Sequence, residues 1–356
     1  MSPVAPQPVR HRYIADALER WFTRHARDLP WRHGRSGYAA LVSEAMLQQT
    51  QVMRVIEPFR AFMRAFPTVQ ALAAADEQHV LAMWRGLGYY RRARYLHGAA
   101  RLIVERFGGR VPAAIGDLRS LPGVGRYTAG AIASIVFGQP EPAVDGNVRR
   151  VLARLEARHG AGSDDEWAWS RAAGLARAAR KPGVVAEALM ELGAMICTPA
   201  RPNGGAPRCD VCPLAKWCEA RHRGVQAEIP SPAARPRRST IYLHAVIVRR
   251  GGRVRLEQRP DRGLWSRMWQ PPTIESPRKL TPSRLISALA VPVDHLRRRA
   301  TFEHLTTHRR LVFEVYETTT RARRGVWRDV HDLDDLPMSN AHRRALACVI
   351  GPVAGT

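Results

Sequence analysis

The sequence predicts two architectures in one chain: an all-α region over residues 1–224 and a separate α+β domain over residues 240–356. Three observations carry this. Before residue 225 the apolar residues recur at helical spacing, and almost nothing alternates with period two. Residues 229–238, IPSPAARPRR, carry three prolines and no apolar periodicity, the composition of an extended, solvated linker placed at 225–239. Beyond them come β-branched alternation and a Gly251-Gly252 turn, the marks of a hairpin.

Taken in order, residues 11–27 predict an amphipathic helix with Ile14, Leu18, Trp21 and Phe22 on one face. Leu29-Pro30-Trp31-Arg32 breaks it, and helical patterning resumes over 38–51. Val52, Val55, Ile56, Phe59 and Phe62 then form a second apolar stripe that Pro67 ends. A short helix over 77–84 leads to Gly86-Leu87-Gly88-Tyr89-Tyr90, and 91–107 forms another with a basic face. Further helices are expected at 128–136, 148–158, about 164–180 and 183–196. In the C-terminal part, 241–250 and 254–258 are strands, 311–318 is a further strand, and 281–290 is more helical. No internal repeat is present.

At 356 residues the chain is long enough for two or three domains. No apolar run reaches the roughly 20 residues that cross a bilayer, and the first ten residues lack the apolar centre of a signal peptide, so a cytosolic protein with no membrane partner is expected. The formal net charge is +25, from 56 Lys+Arg against 31 Asp+Glu, and a field of that sign attracts polyanions. Codon bias also enriches arginine, so charge by itself supports nucleic-acid binding only in part. Only three of the cationic residues are lysines, Lys181, Lys216 and Lys279.

Residues 121–147, LPGVGRYTAGAIASIVFGQPEPAVDGN, combine a glycine-punctuated turn, a helix of small residues and an isolated acid. Gly123 and Gly125 allow a tight turn and close approach of a ligand. The helix after them would offer unpaired N–H groups to an anion such as a DNA phosphate. The same residues equally describe a helix–turn–helix with no ligand. Glu44 lies in ALVSEAM, where Leu41, Val42, Met46 and Leu47 leave little polar face, so it is either a surface glutamate or a buried acid whose pKa is raised by desolvation. Asp145 opens a helix and is either an N-cap or a functional acid. One acid kept protonated and another kept ionised are what acid-assisted cleavage of a glycosidic bond requires. Four of the five cysteines, Cys197, Cys209, Cys212 and Cys218, fall within 22 residues. Metal ligation accounts for that spacing better than disulfides do in a cytosolic chain, and four thiolates suit either zinc or a [4Fe–4S] cluster. Cys348 reads as an ordinary core residue.

SEAMLQQTQ (43–51), GLGYY (86–90), LPGVGRYTAG (121–130), AVDGNV (143–148), EALMELGAMIC (187–197) and the cysteine cluster stand in the order of the helix-hairpin-helix DNA glycosylases. Over nearly its whole length the chain resembles the adenine DNA glycosylase family. The resemblance implies a helix-hairpin-helix glycosylase domain with an iron–sulfur loop at 197–218, and a C-terminal α+β Nudix-like domain that reads 8-oxoguanine. Its implied partner is double-stranded DNA containing A:8-oxoguanine or A:G mispairs, from which adenine is flipped out and removed. Glu44 would protonate the base and Asp145 would stabilise or trap the sugar cation, with Tyr127 and Asn147 in support. Trp31, Arg32, Glu187 and Met190 would line the adenine pocket, and Gln49 and Tyr89 would fill or wedge the stack. Gly123 and Gly125 would hold a phosphate, and Cys197, Cys209, Cys212 and Cys218 would carry a [4Fe–4S] cofactor.

In the related endonuclease III branch a hairpin lysine forms a Schiff base and cuts the strand. Here that position is Tyr127 and no lysine precedes Lys181, so the resemblance implies a monofunctional enzyme. Two departures from the family pattern stand out. The gap between Cys197 and Cys209 holds eleven residues, longer than usual, with Asn203-Gly204-Gly205 reading as a flexible insertion. The family's Phe-Ser-His loop appears as Thr306-Thr307-His308, which keeps a hydroxyl and the histidine but not the aromatic. No glutamate-dense Nudix hydrolase helix appears over 263–290. Two other readings compete: an endonuclease III-like glycosylase for oxidised pyrimidines, opposed by Tyr127 and the C-terminal domain, and a non-catalytic damage-binding protein, opposed by retention of both Glu44 and Asp145. Nothing in the sequence suggests an oligomer, so a monomer is expected.

Overall fold

The structure, a computed structural model, describes residues 7–159, 165–200, 205–231, 238–293, 295–334 and 336–351. Residues 232–237 of the expected linker and the Asn203-Gly204 part of the expected insertion lie outside them. The N-terminal helices are α1 (Gln7–His25), α2 (Gly37–Leu47), α3 (Val52–Ala65), α4 (Val69–Ala74), α5 (Glu77–Met83), α6 (Arg91–Phe107), α7 (Ile115–Ser120), α8 (Arg126–Ile135), α9 (Gly146–Leu155), α10 (Asp165–Ala178), α11 (Pro182–Met195) and α12 (Glu219–His222). Contacts divide the chain into two compact units, Met1–Ala73 with Gly98–Ala234, and Ala74–His97 with Arg235–Thr356.

In the first unit, the stripe Ile14, Leu18, Trp21 and Phe22 of α1 packs with Val148, Val151 and Leu152 of α9, Leu175 of α10, and Val185, Leu189 and Leu192 of α11. Each such buried side chain contributes about 2 kcal/mol relative to exposure. The apolar run over 38–51 is one helix only as far as Leu47. The chain then turns at Gln48–Gln51 and starts α3, so the two stripes belong to different helices. The hairpin joins α7 to α8 through Gly123, whose φ of +77° is the left-handed conformation that favours glycine.

The second unit carries a mixed sheet built from β1 (Ser239–Arg250), β2 (Arg253–Gln258), β3 (Trp269–Gln270), β4 (Thr273–Ser276), β5 (Arg297–Leu305), β6 (Arg309–Thr319) and β7 (Val326–Asp329), with helices α13 (Pro282–Ala288) and α14 (Asn340–Ile350). The strand order is β3-β2-β1-β6-β5, with β4 also pairing β1 and β7 also pairing β2. Gly251-Gly252 forms the two-residue β1–β2 hairpin loop, and β1 runs parallel to β6. Leu243, Ala245 and Ile247 of β1 face the core that α14 closes, while Val246 and Val248 face Leu285 of α13. A helix on each face explains why 243–248 is buried throughout rather than alternating. β5 escaped the sequence reading because it is an edge strand opening on Arg297-Arg298-Arg299, with only Phe302 fully buried.

Candidate active site

Nine of the residues singled out in the sequence, Trp31, Arg32, Glu44, Gln49, Tyr127, Asp145, Asn147, Glu187 and Met190, line one cavity of about 540 Å³ in the first unit. They arrive from the turn after α1, from α2 and the turn after it, from α8, from the start of α9 and from α11. A cleft of this size takes a single base or a small ligand.

Glu44 sits on α2, whose start is fixed by Ser36 accepting a hydrogen bond from the Ala39 N–H. Its helix packs with Leu41, Val42 and Met46 buried, and Glu44 itself is only 9% exposed. Burial pushes its carboxyl up to about 7. The neighbouring Asp145 and Glu187 charges push the same way, and a hydrogen bond with Tyr127 opposes them. The Glu44 Oε2 atom is shielded from solvent and has no hydrogen-bond partner. The Tyr127 hydroxyl donates to the Met190 sulfur at 3.1 Å, and burial first, then the Glu44 and Asp145 charges, holds its own pKa well above the ordinary tyrosine value.

Asp145 is an N-cap, as one of its two sequence readings expects. It is the N-cap of α9, with Oδ1 accepting from the Val148 N–H at 2.7 Å, and it lines the cavity. Its Oδ2 accepts from Asn147 Nδ2 at 2.9 Å. Asn147 is held in turn, because Arg150 donates to its Oδ1 at 2.9 Å and to the carbonyl oxygens of Gly193 and Cys197 at 2.7 and 2.8 Å. Position 193 must be glycine for α11 to approach here, since a Cβ would come within 2.6 Å of the Asn147 Cβ.

Sequence reasoning missed three charged members of the cavity wall, Arg27, Arg35 and Glu191. Arg27 clamps Glu191 with Nε and Nη2 at 2.8 Å each, while Arg32 bridges Glu187 at 3.0 Å and Glu191 at 3.3 Å. Arg35 stands 2.7 Å from Glu187 Oε2. The signal was present: Glu187 and Glu191 are four apart and so share one face of α11, in a segment otherwise apolar enough to be buried.

The remaining singled-out residues lie off the cavity. Gly125 is the N-cap of α8 with φ −85°, and a Cβ added there would meet nothing within 4 Å, so neither backbone conformation nor internal packing requires glycine. Tyr89, off the cavity, and Gln49, already placed in its wall, both adopt positive φ, +48° and +55°, a strained conformation that clusters at functional sites. Tyr89 belongs to the second unit, is half exposed, and its hydroxyl lies 2.6 Å from Thr307 Oγ1. His308 is exposed on the same turn, which Thr306 closes by hydrogen bonds with Arg309. His304, in β5, is half-buried: it packs on Trp265 at 5.7 Å, and burial lowers its pKa.

Cys197, Cys209, Cys212 and Cys218 line one cavity with Arg154, Arg208 and Arg221, and Arg154 Nη1 donates to the Cys197 sulfur at 3.3 Å. Burial first, then mutual repulsion, raises the Cys209 thiol, and burial pushes Cys212 up to about 12. Among the described residues, no three His, Cys, Asp or Glu side chains gather as a single metal ion requires. The four cysteines thus line one small cavity beside three arginines. Among the described residues no helix is long and apolar enough to cross a membrane.

Comparison with known proteins follows the same division. Residues 42–168 match the HhH-GPD family, described as HhH-GPD superfamily base excision DNA repair protein, and residues 244–348 match the NUDIX domain. The adenine DNA glycosylase of Homo sapiens is 36% identical over 84% of this chain and 66% of its own length, so the chain spans about two thirds of that relative. The adenine DNA glycosylase of Mycobacterium tuberculosis is 43% identical over 68% of this chain and 78% of its own. Among solved structures, a thermostable thymine-DNA glycosylase covers 61% of this chain over its full length, with a TM-score of 0.53 at 26% identity.

Proposed function

Because this chain belongs to the adenine DNA glycosylase family, we propose that it removes adenine mispaired with 8-oxoguanine or guanine in double-stranded DNA, hydrolysing the N-glycosidic bond and leaving the strand intact. The observation that carries the proposal is one cavity holding two unlike carboxyl groups. Glu44 keeps its proton to near neutral pH through burial, whereas Asp145 accepts N–H hydrogen bonds on both oxygens.

The base is flipped into the cavity, and Glu44, with a pKa close to working pH, hands its proton to the adenine ring and makes it a better leaving group. Asp145 faces the sugar cation that develops, and stabilises or traps it before water attacks. Asn147 orients Asp145, and Tyr127 orients Glu44. Trp31, Arg32, Glu187 and Met190 enclose the base. Gly125 gives the α8 N-terminus the close approach that a backbone phosphate requires, and nothing inside the protein otherwise calls for glycine there. Gln49 fills or wedges the stack at the lesion, and the same role is assigned separately to Tyr89 of the second unit, each on a positive-φ backbone. Thr307 and His308 read the 8-oxoguanine partner, with Tyr89 bonded to Thr307.

Cys197, Cys209, Cys212 and Cys218 would hold a [4Fe–4S] cluster, which when bound ties the 197–218 loop to α9 and α11 rather than taking part in bond cleavage. The protein acts as a monomer in the cytoplasm. Tyr127 in place of a lysine leaves no amine to form a Schiff base.

The test uses duplexes with A:8-oxoguanine, A:G, A:T or an oxidised pyrimidine, incubated with the full chain and then treated with hot alkali. Cleavage at adenine in the first two alone supports the proposal. Cleavage at the pyrimidine, or tight binding with no alkali-labile site, overturns it. A borohydride-trapped covalent adduct would refute the monofunctional part, and zinc in place of iron and sulfide by elemental analysis would refute the cluster.

A further inference from the structure

We infer that Arg92 is a positioning residue for Tyr89: its guanidinium touches both the half-exposed Tyr89 ring and the buried Trp84 ring, and so holds the tyrosine ready to enter a base stack. The inference rests on the wedge role proposed above for Tyr89.

The segment between α5 and α6 turns within a few residues, and Gly86, Gly88 and Tyr89 all take left-handed φ, +83°, +68° and +48°. For a tyrosine that conformation is strained and persists only where the surroundings hold it. Two side chains of the same unit do so. Trp84, fully buried, donates its indole N–H to the Gly88 carbonyl oxygen at 3.2 Å. Arg92, in the first turn of α6 and only 9% exposed, donates from Nη2 to the Leu87 and Gly88 carbonyl oxygens at 3.0 and 3.1 Å. Its guanidinium carbon also lies 5.5 Å from the ring centre of Trp84 and 5.5 Å from that of Tyr89. Burial lowers Arg92 to about 10, which leaves it charged at neutral pH. A cation therefore links an anchored ring to a half-exposed one.

The contact at Thr307 does not replace this one. It tethers the Tyr89 hydroxyl, at the far end of the side chain, and leaves the face of the ring to Arg92. Lysine cannot do the same work, because an ammonium has no plane to lay against a ring and no fork to spread over neighbouring carbonyls.

The test uses the full chain with Arg92→Lys, Arg92→Gln, Tyr89→Ala and the double variants, on a duplex with adenine opposite 8-oxoguanine and 2-aminopurine beside the mispair. Fluorescence of that analogue rises as the stack opens, and single-turnover excision is followed on the same duplex. Tyr89→Ala and Arg92→Lys are each expected to slow opening about fivefold, and Arg92→Lys is expected to cost nothing further in the Tyr89→Ala background. Arg92→Gln is the second variant, and whichever of the two melts near the wild-type temperature carries the comparison. Equal losses in the wild-type and Tyr89→Ala backgrounds would make Arg92 a merely structural residue and overturn the inference, as would no loss in either. If Tyr89→Ala opened the stack as wild type does, the wedge role itself would fail and the inference with it, an outcome distinct from those at Arg92.

Discussion

Asn147 Nδ2 donates a 2.9 Å hydrogen bond to Oδ2 of Asp145, two residues earlier on the same helix start. The bond works because Asn147 cannot turn away. Arg150 grips the other end of its amide, and Gly193 of α11 lets the neighbouring backbone press against its Cβ. One helix cap therefore orients an acid that the proposed chemistry needs, through a side chain locked at three points.

Replacing Asn147 by alanine removes a hydrogen bond to a carboxylate, worth about 1.5–3 kcal/mol. Single-turnover excision should slow by roughly ten- to a hundredfold, with DNA affinity by gel shift unchanged. Gly193→Ala should slow excision as well, by displacing Asn147. Normal rates in both variants would show that the orientation of Asp145 does not limit the reaction.

Glu44 should give the rate its alkaline limb. As the proton donor it must be protonated, so excision falls as pH rises through about 7, and Glu44→Gln should abolish product at every pH while sparing DNA binding. Asp145→Asn should do the same.

The same acid should make stability depend on pH. Its folded pKa is raised from 4.5 to about 7, so its contribution is fully present below 4.5 and is lost as pH rises through 7. Glu44→Gln should therefore be more stable than wild type at pH 8, by on the order of 3 kcal/mol, and nearly equal to it at pH 4.5. Thermal melts at the two pH values check this, and a pH-independent difference would count against a buried acid.

The two hairpin glycines should separate cleanly. Gly123→Ala places a side chain at φ +77° and should cost about 1–2 kcal/mol of stability. Gly125→Ala meets open space at φ −85°, so it should leave the melting temperature unchanged yet weaken binding to duplex DNA. If Gly125→Ala bound DNA normally, the phosphate contact would be misplaced.

Thr307→Val keeps the shape of the side chain and removes its bond to Tyr89. The preference for adenine opposite 8-oxoguanine over adenine opposite guanine should drop about fivefold, with the rate opposite guanine little changed. Equal loss on both duplexes would assign Thr307 to general DNA binding.

The fold class, the helical N-terminal part and the β1–β2 hairpin were legible in the sequence because each rests on local pattern, as were Glu44 and Asp145; the other seven singled-out members of the cavity came only through the family resemblance. β5 was not legible, since an arginine-led edge strand carries little apolar alternation of its own; α14 was passed over although Ala341, Ala345 and Leu346 stand at helical spacing. Within the site, Glu44 was legible through its apolar neighbours on α2. Arg27, Arg35 and Glu191 were invisible as a set, because α1, the turn before α2 and α11 meet only on folding.

What the sequence by itself determined is which residue types were available: one acid on an apolar helix, one acid at a helix start, glycines and a tyrosine at the hairpin, and four clustered cysteines. Tertiary structure alone decided what those residues became. Burial between α2, α8 and α11 pushes Glu44 to about 7, and packing of α9 against Gly193 locks the amide that orients Asp145. The physical reason is that desolvation and hydrogen-bond geometry depend on neighbours distant in the chain, which no local pattern specifies.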